Sequence, residues 1–132
     1  MPFDMLPMVP EATIVSEQKV TDADAIRVIE RAQEIIRYPW QWTARALARD
    51  WRGKWVDAEG DTAIFFCGRG ALIRAAHQLG VSRAVATRAE DLIMELETDQ
   101  FACSIPDLND NLIFGYFRVH RAFARAVSEH KA

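Results

Sequence analysis

The stretch F-F-C-G-R-G-A-L-I-R-A-A over residues 65–76 brings a thiol, two glycines and two guanidinium groups together. Three chemistries compete for it. A cysteine nucleophile needs a depressed pKa and a paired base. His77 lies ten residues beyond Cys67, on a different side of a helix, and His120 reaches it only through tertiary packing. A phosphate loop needs G-x-x-x-x-G-K-[ST], or G-x-G-x-x-G directly after a strand. Here only G-x-G is present, and Ile73 stands where the third glycine belongs. The remaining reading is a packed helix carrying a small buried thiol, the commoner state of a free cysteine.

Helical periodicity favours that third reading. On a wheel at about 100° per residue, Ile64, Phe65, Gly68, Ala71, Leu72, Ala75, Ala76 and Leu79 share one broad arc. Arg69, Arg74, His77 and Gln78 lie away from it. The pattern predicts a helix over 63–79, with Asp61 as N-cap and Gly80 ending it. Two glycines inside a helix cost roughly 1 kcal/mol each relative to Ala. A close helix–helix approach at Gly68, Ala71 and Ala75 is the expected compensation. An alternative reading gathers Cys67, Arg74, Asp110 and His120 into a small enzyme or ligand pocket. Neither Cys67 nor Cys103 sits in a C-x-x-C pair or at metal-ligand spacing from a histidine, so no metal or cofactor is predicted.

The other unusual feature is aromatic. Trp40, Trp42, Trp51 and Trp55 fall within sixteen residues, interleaved with Arg45, Arg49 and Arg52. Tryptophan and arginine are enriched in binding hot spots. The A-L-A-R-D/W-R-G/K-W-V run reads as a short hairpin with Gly53 supplying positive φ. A helical turn over Thr43–Ala48 competes with it. Trp42 and one further ring are expected to be buried. Trp51 and Trp55, at the hairpin tip, are the rings expected to face solvent. With Arg49 and Arg52 they form the predicted partner-binding surface.

The elements that must position these groups are helical. T-D-A-D-A-I-R-V-I-E-R-A-Q-E-I-I-R has Thr21 as cap and a stripe of Ala25, Val28, Ile29, Ala32, Ile35 and Ile36, and it ends before Pro39. The segment from Ser82 repeats the pattern with Val85, Ala89, Leu92, Ile93 and Leu96. A last helix is predicted from Asp107 to His130, capped by Asp107, with Asn109 and Asp110 in its first turn. Its apolar lines are Leu112, Tyr116, Val119, Phe123 and Val127, and beside them Ile113, Phe117 and Ala124. Arg118, Arg121 and Arg125 form a basic flank, for which the acids of the preceding helix are natural neighbours. Asp110 is positioned to pair with Arg74 or Arg49 and fix the Trp segment to the bundle. The predicted fold is all-α: four main helices over 21–132, with a Trp-rich hairpin-like or irregular connection between the first and second. Residues 1–20, with three prolines and no sustained period, read as an N-terminal arm over its own domain or a partner.

At 132 residues the chain suits one domain. The net charge of −3 argues against nucleic acid as a partner. Thirteen arginines stand against three lysines. No stretch approaches 18 uninterrupted apolar residues, so no membrane span is predicted. The two cysteines suit reduced thiols in a cytoplasmic protein.

Two spaced motifs carry a resemblance. Trp42, Leu47, Ala48, Arg49, Asp50 and Gly53 fit W-x-x-x-x-L-A-R-D-x-x-G. Cys67, Gly70, Ala71, Leu72, Arg74 and Ala75 fit C-x-x-G-A-L-x-R-A, and Asn109-Asp110 follows downstream. Over about residues 21–128 the chain is similar to a group of small bacterial and phage-associated proteins, a domain family of unknown function. Phe66 stands where that family more often has Trp. The resemblance implies a helical fold and carries no activity. The functional expectation is a non-enzymatic interaction module presenting residues 40–55 to a protein partner or to a second copy.

Overall fold

A computed structural model describes residues 19–98, 102, 104–110 and 114–131. Most of the expected arm, together with Cys103, Leu112 and Ile113, lies outside the described residues. The fold is an all-α bundle with a two-stranded sheet on one connection. Helix α1 spans Asp22–Ile35, and the Thr21 side chain accepts the Asp24 N–H at 3.1 Å. A 3-10 turn over Pro39–Gln41 follows, then strands β1 (Ala48–Arg49) and β2 (Phe65–Phe66). Helices α2 (Gly68–Leu79), α3 (Arg83–Glu95), α4 (Ile105–Asn109) and α5 (Gly115–Lys131) complete the order. α1 packs against α2, α3 and α5. Its Ala25, Val28, Ile29, Ala32 and Ile36 are fully buried among Leu72, Val85, Leu92, Ile93 and Phe123.

Two predicted helices change their bounds. The helix expected over 63–79 begins only at Gly68. Phe65 and Phe66 are extended and pair antiparallel with the connection, Ala48 opposite Phe66 and Arg49 opposite Phe65. Cys67, not Asp61, is the N-cap, and its sulfur accepts the Gly70 N–H at 3.2 Å. Adjacent aromatics suit a pleated, half-buried surface, and the hairpin offers β2 a partner. At the other end Gly80 closes the helix as expected, at φ 72°.

The helix expected over 107–130 is broken. α4 ends at Asn109 and α5 starts at Gly115. Asp107 is inside α4, whose N-cap position is Ser104. The apolar lines of α5 narrow accordingly. Val119, Ala122, Phe123 and Ala126 are buried, whereas Phe117 and Ala124 are exposed. Arg125 does not pair with the acids of α3; it donates to the Leu96 carbonyl oxygen at 2.9 Å.

Close approach explains the glycines. A Cβ built on Gly70 would lie 1.8 Å from the Leu47 carbonyl oxygen, so the connection crosses α2 with backbone on backbone. A Cβ on Gly68 would lie 2.7 Å from Ile105 and 2.9 Å from Val119. The close neighbours of α2 here are thus the connection, α4 and α5. Gly70→Ala must push the connection off α2. It is expected to lower the unfolding free energy by about 2 kcal/mol or more, read by urea denaturation. An unchanged midpoint would refute the crossing.

Candidate functional site

The connection between α1 and α2 is held from beneath by one amide. Asn109 is completely buried. Its Oδ1 accepts the Trp42 Nε1–H at 2.6 Å and the Gly68 N–H at 2.8 Å. Its Nδ2 donates to the Thr43 carbonyl oxygen at 3.1 Å and to Asp110 Oδ1 at 3.0 Å. That same Asp110 oxygen accepts the Arg45 N–H at 3.0 Å. Asp110 thus fixes the Trp segment through the backbone of Arg45, not through Arg74 or Arg49. Arg45 is the one described non-glycine residue with positive φ, at 64°. Such a conformation persists where surrounding bonds over-determine it.

From Trp42 the chain rises into a hairpin. Arg49 and Trp55 form an antiparallel bridge, and the Val56 N–H donates to Ala48 O at 3.1 Å. Asp50 shapes the tip, its Oδ1 accepting the N–H groups of Arg52 (2.9 Å) and Lys54 (3.0 Å). Gly53 supplies the expected positive φ, 83°. The helical turn over Thr43–Ala48 does not form. Arg49 works inward. Its Nε donates to Thr43 Oγ1 at 2.9 Å, Nη1 to Gly53 O at 2.9 Å and Nη2 to Ala44 O at 3.1 Å. It is a clasp across the base of the hairpin, with the Trp55 ring 6.0 Å away.

The indoles are set outward. Trp51 is 73% exposed, Trp55 72% and Trp40 68%. Trp42 is half-buried, edge-on to Tyr116 at 6.2 Å. The expectation that a second tryptophan joins the core is therefore overturned. Trp51 and Trp55 lie at the hairpin tip, whose Asp50 bonds are made within the hairpin, and their rings face solvent. Arg52 stacks over Trp51 at 5.0 Å, and Trp40 stacks on Tyr38 at 4.7 Å with planes 4° apart. Among the described residues, Arg45, Arg52 and Lys54 form no ion pair.

Cys67, Arg74, Asp110 and His120 have separate partners. Cys67 is buried at the α2 N-cap. Arg74 donates to Gly60 O at 2.8 Å and Ala58 O at 3.2 Å, its guanidinium over the Phe66 ring. Asp110 holds Arg45. A ring nitrogen of His120 hydrogen-bonds the Ile36 carbonyl, beside Tyr116, whose hydroxyl donates to the Arg37 carbonyl. No hydrogen bond or ion pair joins any two of the four. Burial pushes the Cys67 thiol above its ordinary 9.0, with the Gly70 N–H opposing in a smaller degree. The thiol is protonated at neutral pH, the reverse of an activated nucleophile.

The sequence pattern places Asn109 in the first turn of the last helix and does not reveal its role as the hub. The motif spacing alone cannot show that the break after Asn109 turns its amide inward. The outward stack of Tyr38 on Trp40, set by the 3-10 turn that begins at Pro39, was also missed. Compared with family models, curated proteins and solved structures, the chain matches none.

Two measurements check this geometry. Asn109→Leu orphans the Trp42 and Gly68 donors and the Thr43 acceptor, at 1–3 kcal/mol for a buried group. A loss of about 3 kcal/mol in unfolding free energy is therefore expected from urea titration. For Cys67, iodoacetamide at pH 8 should alkylate the native protein at least about tenfold more slowly than the denatured chain, resolved by peptide mass. Because the folded thiol holds its proton more tightly, its share of stability is fully present below 9.0 and is lost as pH rises through the folded value.

Proposed function

We propose that the protein is a non-enzymatic interaction module whose 40–55 surface docks a protein partner of acidic, apolar character. The observation that carries this reading is the outward exposure of Trp40, Trp51 and Trp55 on a connection that is itself locked to the core. Each indole is a large apolar surface, and such rings dominate interface energetics. Isolated exposed apolar residues need no explanation, but a cluster of large ones marks an interaction site. The hairpin supports this: its backbone is pinned by hydrogen bonds before binding, which lowers the entropic cost of association. Arg52 and Lys54 sit at the tip, and Arg45 lies on the same connection. With no ion pair of their own among the described residues, they favour an anionic partner.

Trp51, Trp55 and Arg52 make the contacts in this reading, and Arg49 keeps the hairpin closed. No described helix is long and apolar enough to cross a membrane. The reduced, buried Cys67 supports a cytoplasmic setting. The Trp42–Asn109 bond and the Gly70–Leu47 crossing fix the base from which the hairpin projects.

Affinity capture from the native host, with wild-type and Trp51→Ala/Trp55→Ala baits compared side by side, tests the proposal. Removing two hot-spot rings, at about 2 kcal/mol each, should reduce recovery of the specific partner at least about thirtyfold. Circular dichroism should be unchanged, because both rings are exposed. Sedimentation equilibrium identifies the case in which the partner is a second copy. Baits that retain every captured protein, without a shift in self-association, would sink the reading.

A further inference from the structure

A cleft of about 480 Å³ lies where the connection meets the α2–α3 pair. None of Cys67, Arg74, Asp110 and His120 lines it, and neither do the exposed indoles. Arg69 at the start of α2 bonds Glu90 towards the end of α3, so the two helices run antiparallel. Arg83, Thr87 and Asp91 recur at four-residue spacing and share the face of α3 that borders the cleft. From Arg83 to Asp91 the helix rises about 12 Å at 1.5 Å per residue. The buried Leu72, Ile73 and Ala86 form an apolar floor, and the exposed Leu47 adds an apolar wall from the connection. Small-molecule sites measure about 300–1,000 Å³ and combine such a floor with a few polar groups.

The charges around the cleft are unequally engaged. Arg69 holds Glu90 through two bonds of 2.8 and 2.6 Å, and a Glu90 oxygen also accepts the Ile105 N–H at 3.3 Å. Arg83 lies 3.2 Å from Glu59 and 3.9 Å from Asp57. Each guanidinium in the lining thus has its carboxylate. Asp91 is exposed, and its carboxylate forms no hydrogen bond or ion pair among the described residues. Its cationic neighbour on α3, Arg88, is turned to Asp22 at 2.8 Å and Glu95 at 3.3 Å. The Thr87 hydroxyl donates to the Arg83 carbonyl oxygen at 3.4 Å, which leaves its own oxygen as an acceptor. One uncompensated negative charge and one acceptor, a helical turn apart, therefore border the apolar floor.

We propose that this cleft binds a small primary amine with an apolar body. Its ammonium donates to the Asp91 carboxylate and to Thr87 Oγ1, and its hydrocarbon lies over Leu72, Ile73 and Leu47. An ammonium is a donor with no acceptor, which matches the two groups left open. An anion would meet Asp91 without a free cation to offset it. The site is independent of partner docking at the indoles.

The test titrates the full chain, labelled at its Leu and Ile methyl groups, with phenylbutylamine, phenylbutyrate and phenylbutanol in parallel. The three probes share a body and differ in the head group. The amine should shift the Leu47, Leu72 and Ile73 methyl resonances saturably, with an affinity at least about fivefold above that of either other probe. Asp91→Asn keeps the shape and removes the charge, so it should weaken the amine about fivefold and leave phenylbutanol unchanged. Thr87→Trp fills the cleft and should abolish the saturable shifts. Both positions are exposed, so an unchanged circular dichroism spectrum confirms an intact bundle. Absence of saturable shifts at these methyls, equal affinity for the three probes, amine binding indifferent to Asp91→Asn, or binding that survives Thr87→Trp would each overturn the proposal.

Discussion

A single buried carboxamide organises this protein. Burying an amide without partners costs several kcal/mol, so a buried asparagine must be satisfied or removed. Asn109 has two acceptor lone pairs and two N–H donors, and all four are used. Its partners come from the connection, from the start of α2 and from the neighbouring Asp110. Satisfying them requires the chain to leave helical geometry just after Asn109. It also requires Gly115, where a Cβ would stand 2.1 Å from the Asn109 carbonyl oxygen and 3.2 Å from the Trp42 ring. The break in the last helix, the seat of Trp42 and the cap of α2 are thus one constraint seen from three sides. Partly satisfied networks of this kind destabilise a fold, and fully satisfied ones specify it.

Arginine serves a related purpose at the periphery. The irregular segments leave carbonyl groups that no ladder satisfies. Arg49 takes those of Ala44 and Gly53, Arg74 those of Ala58 and Gly60, and Arg125 that of Leu96. A planar fork of donors reaches two carbonyls at once, which an ammonium group does less well. Arg69 instead grips Glu90 with two bonds, 2.8 and 2.6 Å, while Glu90 also accepts the Ile105 N–H at 3.3 Å. Part of the excess of arginine over lysine is thereby put to structural use.

What could be read from the chain divides along the range of the interactions. α1 and α3 were legible because their apolar residues repeat with the helical period and are buried by several neighbours at once. Thr21 and Gly80 were legible because capping is local. Residues 63–67 were misread because Ile64 and Phe65 fit a helical arc by spacing alone, while the decisive partner, Ala48–Arg49, lies some sixteen residues upstream. The last helix was misread because its break depends on a bond from Asn109 to a residue 67 positions away. At the candidate site, the hairpin and the exposure of Trp51 and Trp55 followed from turn chemistry at Gly53. The inward role of Arg49 did not, because a guanidinium beside two tryptophans looks alike in sequence whether it faces carbonyls or solvent.

The placement of the indoles has an optical consequence. An indole's emission shifts to the red when it moves from an apolar interior into water. Here three of the four rings are already largely wet in the folded chain, and only Trp42 has far to travel. Intrinsic fluorescence will therefore follow denaturation of this protein weakly. It will respond far more to whatever shields the hairpin, a blue shift marking occupancy of that surface.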